Sequence, residues 1–235
     1  MAGTVPVDGT GPQDGTGPRE STGPPESTPV PTEQGTALVT LDLPEHGSRA
    51  LLVLGHGAGG GPQSADLVAV TRAAVAAGIA VARVTQPYRV AGKKVPPRPP
   101  VLDAAWTTVV RSLGHEGPLL LGGRSSGARV ACRTANDLGA LAVLALAFPT
   151  RPPRTPDRDR LDELAAPHVP VLVVQGERDP FGVPPAAPGR TVALIQGAGH
   201  DLRGPAARRA AEIAVPWLTA HLPVGPIRLD HDRSW

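Results

Sequence analysis

A serine stands at the centre of Gly123-Arg124-Ser125-Ser126-Gly127, directly after the apolar run Pro118-Leu119-Leu120-Leu121-Gly122. The following Ala128-Arg129-Val130-Ala131-Cys132-Arg133 suits a helix. A strand that turns through G-x-S-x-G into a helix is a nucleophile elbow. Its serine occupies a sharp, strained turn, and small flanking residues let strand and helix pack closely. The hydroxyl lies near the helix N-terminus, where free backbone N–H groups favour developing negative charge. The chemistry this suits is attack of a serine oxygen on a carbonyl carbon. In a chain with 28 glycines the five-residue pattern is a weak signal alone, so the strand and helix around it carry the weight.

A serine hydroxyl becomes a good nucleophile when a base takes its proton, and the base needs a carboxylate to fix its tautomer. On such an elbow the acid and then the base follow the serine along the chain. Three histidines qualify by order. His221 ends the last expected helix and His231 lies in a polar tail. His200, within Gly197-Ala198-Gly199-His200-Asp201, follows an expected strand in a mobile-looking turn and is the better base. For the acid, Glu177 and Asp179 both follow the apolar run Val171–Gln175. Asp179 is preferred, since it sits deeper in the turn, before Pro180.

The loop His56-Gly57-Ala58-Gly59-Gly60-Gly61 has no lysine followed by Ser or Thr and no G-x-G-x-x-G, which argues against a phosphate cradle. Its small residues suit an oxyanion loop, with the N–H of Ala58 opposed to that of Ser126. His56 reads as a prop for this loop. Cys132, seven residues past the serine and within a helix, reads as core packing. No metal ligands or cofactor-binding residues are identified.

Those loops need a scaffold that puts them together. From Thr36 onward strands and helices alternate. Strands are expected at 36–42 (half-buried, near a sheet edge), 49–55, 79–84, 119–122, 141–147, 171–175 and 191–195. Helices are expected at 65–77, 101–113, 126–138 and 205–221. This pattern predicts an α/β fold in one domain, a mostly parallel sheet with helices on both faces. Ligands of such sheets bind outside the carboxyl ends of the strands, where all four candidate loops fall. Residues 1–35 repeat Thr-Gly-Pro every six residues without an aromatic side chain, and are expected to be a disordered Gly/Pro/Thr-rich tail. The domain is then 36–222, followed by a loose C-terminal tail at 223–235. A formal charge of +2 gives no reason to expect nucleic acid, and no segment has the length of a membrane span or the layout of a signal peptide. A single cysteine rules out an intramolecular disulfide, and a cytoplasmic protein is expected.

The chain resembles small lidless α/β-hydrolases of the dienelactone-hydrolase-like kind. Within these it is similar to a bacterial group related to the eukaryotic testis-expressed hydrolase-like protein and the NSL-complex subunit. The resemblance covers residues 37–221 and rests on His56–Gly61, Gln86-Pro87-Tyr88, Val101–Trp106, Gly122–Arg129, Val174–Gly182 and Gly199-His200-Asp201-Leu202. It implies a triad of Ser125, Asp179 and His200 and no cofactor. Ser126 stands where the group usually has methionine, and Ala128 where it often has glycine. A true dienelactone hydrolase would carry cysteine at the position of Ser125. The expected function is a serine hydrolase acting on a small ester or thioester through an acyl-enzyme; a non-catalytic interaction module is the alternative. The short stretch between the strands at 141–147 and 171–175 leaves no room for a lid domain, so a shallow, open site is expected. Two basic loops flank it, with Arg89, Lys93, Lys94 and Arg98 in one and Arg151, Arg154, Arg158 and Arg160 in the other. Solvated charge is their simplest meaning, and a rim that draws an anionic ester is the sharper one.

Overall fold

The computed structural model describes residues 26–151 and 159–223. Among them eight strands form one sheet: Ser27–Thr32 (β1), Gly35–Asp42 (β2), Leu51–Gly55 (β3), Ala80–Thr85 (β4), Leu119–Arg124 (β5), Ala142–Leu146 (β6), Val171–Gly176 (β7) and Arg190–Ile195 (β8). Their order is β1-β2-β4-β3-β5-β6-β7-β8. β2 runs antiparallel to both its neighbours, β1 and β4, and all other pairs are parallel. The helices are Ala65–Ala76 (α1), Pro87–Val90 (α2), Pro99–Ser112 (α3), Ser126–Thr134 (α4), Leu161–Ala165 (α5) and Pro205–Ala220 (α6).

The central strands are apolar at every position because both faces of the sheet are covered. Leu51, Val53, Leu121, Val143 and Val173 face α3, α4 and α5, where Trp106 and Val130 meet them. Their alternates Leu52, Leu54, Leu120, Leu144 and Leu172 face α1 and α6, against Leu67, Val70, Ala214 and Leu218. Outside the apolar layer Arg129 and Arg133 of α4 bond Glu163 of α5, and Arg133 also bonds Asp103 of α3, which ties these three helices together. The connection from β6 to β7 runs from 147 to 170, too little chain for a lid domain.

The elements expected from the sequence are present with shifted ends, and three were missed. The largest difference lies in the segment 1–35. Residues 27–32 form β1 at the sheet edge, so β2 is the second strand, near the edge as expected. Composition misled here because an edge strand needs little apolar content. Pro29 and Pro31 are tolerated at an edge, Val30 packs on the core, and the Ser27 and Thr40 hydroxyls bond at 2.9 Å. The Thr32 hydroxyl closes the turn by donating to the Gly35 carbonyl (2.6 Å). Expectations for 1–25 and 224–235 lie outside the described residues. The short helices α2 and α5 carry too few residues to show a period.

Backbone contact at the carboxyl ends of β3 and β5 sets the site. A Cβ on Gly127 would overlap the backbone of Gly55, and one on Gly123 would meet both Gly55 and Gly127. Gly127→Ala should therefore push α4 off the sheet, at a cost of about 1–3 kcal/mol or more. At about 2–4 °C per kcal/mol in a domain of this size, thermal unfolding should register it clearly. Gly61→Ala, where a Cβ meets nothing within 4 Å, should leave the Tm within a degree or so.

Candidate active site

Ser125 sits between β5 and α4 at φ 52° and ψ −109°, a strained conformation for a residue with a Cβ. Its N–H donates to the Leu146 carbonyl at 2.9 Å, anchoring the turn to β6. The hydroxyl lies 3.1 Å from His200 Nε2, and His200 Nδ1 lies 2.9 Å from Asp179 Oδ2. A carboxylate only accepts, so Nδ1–H donates to Asp179 and Nε2 is free to accept from the serine. The Asp179 side chain is wholly buried, while the His200 ring is 17% exposed. The three side chains named from the sequence thus meet in one hydrogen-bonded line. Glu177, the competing acid, is exposed and accepts from the Gly197 N–H. His221 bonds the Trp217 carbonyl away from the elbow, and His231 lies outside the described residues.

Each member is held by neighbours the sequence did not single out for this task. Asp179 accepts from Gln175 Nε2 at 2.7 Å and from the Phe181 N–H at 2.9 Å, which satisfies its buried oxygens. Gln175 also donates to the carbonyls of Phe148 and Gly182, spanning the turn. The signal for it was a polar residue ending a strand otherwise written Val-Leu-Val-Val. Phe181 meets the His200 ring edge-on, with centroids 4.4 Å apart. A Cβ on Gly176 would collide with the carbonyls of Ala198 and Gly199, so glycine there lets the acid turn and the histidine loop touch.

Arg124, the variable residue before the serine, is the central tie. Its Nε donates to Asp66 Oδ2 at 2.8 Å, and its Nη2 donates to the His200 carbonyl (2.9 Å) and Asp201 Oδ1 (2.6 Å). Asp66 is 1% exposed and belongs to the first turn of α1. One guanidinium therefore joins the elbow, α1 and the histidine loop. The turn expected to be mobile is fastened.

The glycine loop is set from behind. His56 Nδ1–H donates to the Gly57 carbonyl at 2.8 Å, and the Gln86 N–H donates to His56 Nε2 at 3.1 Å. Both nitrogens are thereby committed with the ring neutral, and burial pushes its pKa below the ordinary 6.5. The Gly60 N–H donates to the same Gly57 carbonyl. In a trans peptide the next N–H points the opposite way, so these bonds aim the N–H of Ala58. Tyr88 donates from its hydroxyl to the Ala58 carbonyl at 2.9 Å; burial raises its pKa to about 12, so it stays protonated. Among the described residues neither the Ala58 nor the Ser126 N–H has a hydrogen-bond acceptor. Cys132 is fully buried, and burial raises its thiol to about 12, which suits packing and not nucleophilic chemistry. No group of three or more His, Cys, Asp or Glu side chains is placed to hold a metal ion among the described residues, and no helix there is long and apolar enough to cross a membrane. Of the basic loops, Arg89 bonds the Gly60 and Lys93 carbonyls and Arg160 the Pro149 carbonyl. Lys93, Lys94, Arg98 and Arg151 are exposed, and Arg154 and Arg158 fall outside the described residues.

A family model described as alpha/beta hydrolase domain matches residues 48–212. No curated protein matches the sequence. The fold is shared with an alpha-beta serine hydrolase homologue from Coxiella burnetii, at 17% identity and TM-score 0.67, covering 82% of this chain and 97% of that one. A serine hydrolase without lid from Xanthomonas campestris aligns at 20% identity and TM-score 0.62, over 86% of this chain and 98% of that one. Dienelactone hydrolase from Anabaena variabilis aligns at 18% and 0.66, over 84% and 98%.

Two outcomes follow from this geometry. Arg124→Leu leaves Asp66 buried without its cation, so urea unfolding should report a loss of about 3–5 kcal/mol, largely restored by adding Asp66→Asn. For His56, the unfolded chain takes up a proton below pH 6.5 that the folded protein refuses. Stability from the neutral ring is complete above that pH and is lost as pH falls below it toward the lowered folded value. The stability gap between wild type and His56→Gln, measured by urea unfolding, should therefore shrink between about pH 7 and 5. A gap that widened in acid would contradict a neutral His56.

Proposed function

The chain belongs to the alpha/beta hydrolase domain family, and we propose that it is a serine hydrolase cleaving a small ester or thioester through an acyl-enzyme. The observation that carries this reading is the unbroken line from Ser125 through His200 to buried Asp179. In the proposed reaction the Ser125 oxygen bonds to the carbonyl carbon while its proton passes to His200 Nε2. The carbonyl oxygen takes up negative charge between the N–H groups of Ala58 and Ser126. Collapse breaks the bond to the alcohol or thiol, which leaves with the proton from His200. Water then attacks the acyl-serine, giving its proton to His200, and the carboxylic acid departs as Ser125 recovers its hydrogen. Asp179 holds the Nδ1–H tautomer and stabilises the imidazolium formed in between.

A module that only binds a partner has no use for a serine, a tautomer-fixed histidine and a wholly buried carboxylate in register. The Ser125 strain points the same way, since such backbone persists where its surroundings impose it.

Hydrolysis of p-nitrophenyl acetate provides the test. Ser125→Ala should keep the fold and lose turnover, leaving only the ~10³–10⁴-fold acceleration over water that binding and the oxyanion site supply. Asp179→Asn should lower kcat by about 10⁴. A folded Ser125→Ala protein with turnover close to wild type would refute the assignment.

A further inference from the structure

We propose that the cavity between α2, α3 and the β1–β2 hairpin is the acyl pocket of this site and takes an apolar acyl group of medium length. The inference rests on the serine hydrolase reading and adds to it the class of acid whose esters are cleaved.

The cavity measures about 410 Å³, within the usual range of small-molecule sites. Tyr88, Ala91, Val95, Val101, Leu102 and Ala105 supply most of its wall, and Gln34 of the hairpin turn reaches it from the other side. Val95 is 78% exposed and Val101 40%, and Val90 of the adjoining α2 is 39% exposed. Val95 and Val101 line the cavity, so part of its wall is apolar surface that folding leaves in water and that an apolar ligand would cover.

Its place in the fold says which part of the substrate it holds. Tyr88 in its wall donates to the Ala58 carbonyl, and the backbone N–H of Gln86 in its wall donates to His56, so two wall residues of the cavity also hold the glycine loop. The loops carrying Asp179 and His200 follow β7 and β8, on one side of β5, while the cavity follows β4 on the other. In the tetrahedral intermediate the leaving atom must face His200 to collect its proton, and the oxyanion faces Ala58 and Ser126. The remaining substituent, the acyl chain, points away from His200 and toward the β4 side. A smaller void continues past Gln86, Tyr88 and Leu102 to Trp106 and Ser126, with room for about one water. Two residues of its lining, Gln86 and Trp106, carry a buried polar atom (Oε1 and Nε1) without a hydrogen-bond partner among the described residues. A void of that size holds no methylene chain, so the acyl chain is assigned to the larger cavity.

The test uses p-nitrophenyl esters of acetic, butyric, hexanoic and octanoic acids with wild type, Ala91→Trp and Val101→Trp. Both substituted positions are exposed, so the fold tolerates the change while the indole fills the cavity. In wild type kcat/KM should rise by up to about fourfold per methylene until the cavity is full. Each tryptophan variant should cut the hexanoate-to-acetate ratio at least tenfold. A wild-type ratio near one, or a ratio the variants do not move, overturns the proposal. So does a tryptophan effect that tracks the alcohol chain in a series of acetate esters. Absence of turnover on every ester together with absence of fluorophosphonate labelling would instead strike at the serine nucleophile, and the pocket assignment would fall with it.

Discussion

Ser125 keeps a backbone angle of φ 52° only because its neighbours leave it no alternative. Before it, β5 is paired on both sides, with β3 and β6. After it, α4 lies so close to β3 that Gly127 and Gly55 touch backbone to backbone. Residue strain of this kind costs about 1–3 kcal/mol and is sustained by the packing around it. What results is a hydroxyl lifted off the sheet at the N-terminus of a helix, at the carboxyl edge where the other loops converge. Each further contact can be understood as bringing something to that fixed oxygen.

Two kinds of interaction do so. On the β7–β8 side the ties are charged and buried. Arg124 binds both the first turn of α1 and the histidine loop, and Asp179 is satisfied by Gln175 and Phe181 before it meets His200. Buried ions confer little net stability, yet they fix geometry because a broken partner is costly. On the β3–β4 side the ties are neutral. His56, Gln86 and Tyr88 hold the glycine loop through hydrogen bonds to and from the backbone. That division suits an acyl-transfer site, where a proton moves on one side and a carbonyl oxygen gains charge on the other.

Strand ends made this edge legible in the sequence. The apolar runs of β3, β5 and β7 and the loops after them point to His56–Gly61, Ser125 and Asp179, because parallel strands buried on both faces leave an unbroken apolar signature. Chain order then separated His200 from His221. The clamps were not legible. Arg124 occupies a position that the elbow pattern leaves free, and Asp66 in the first turn of α1 looks like any acid beside a helix dipole. Their partnership spans elements far apart in sequence, which no local pattern encodes. The β1–β2 hairpin escaped for another reason: its strand is stabilised by pairing and one valine, not by composition. Missing it also hid the cavity, because Gln34 of that turn supplies part of the wall.

The central claim is that Ser125 is an activated nucleophile in the folded protein. The most direct measurement is intact-mass and peptide-level mass spectrometry after brief exposure to a fluorophosphonate at neutral pH. The account predicts a single adduct on the peptide carrying Ser125, lost when the protein is first unfolded and lost in His200→Ala. An unmodified folded protein, or an adduct on any other residue, would contradict it.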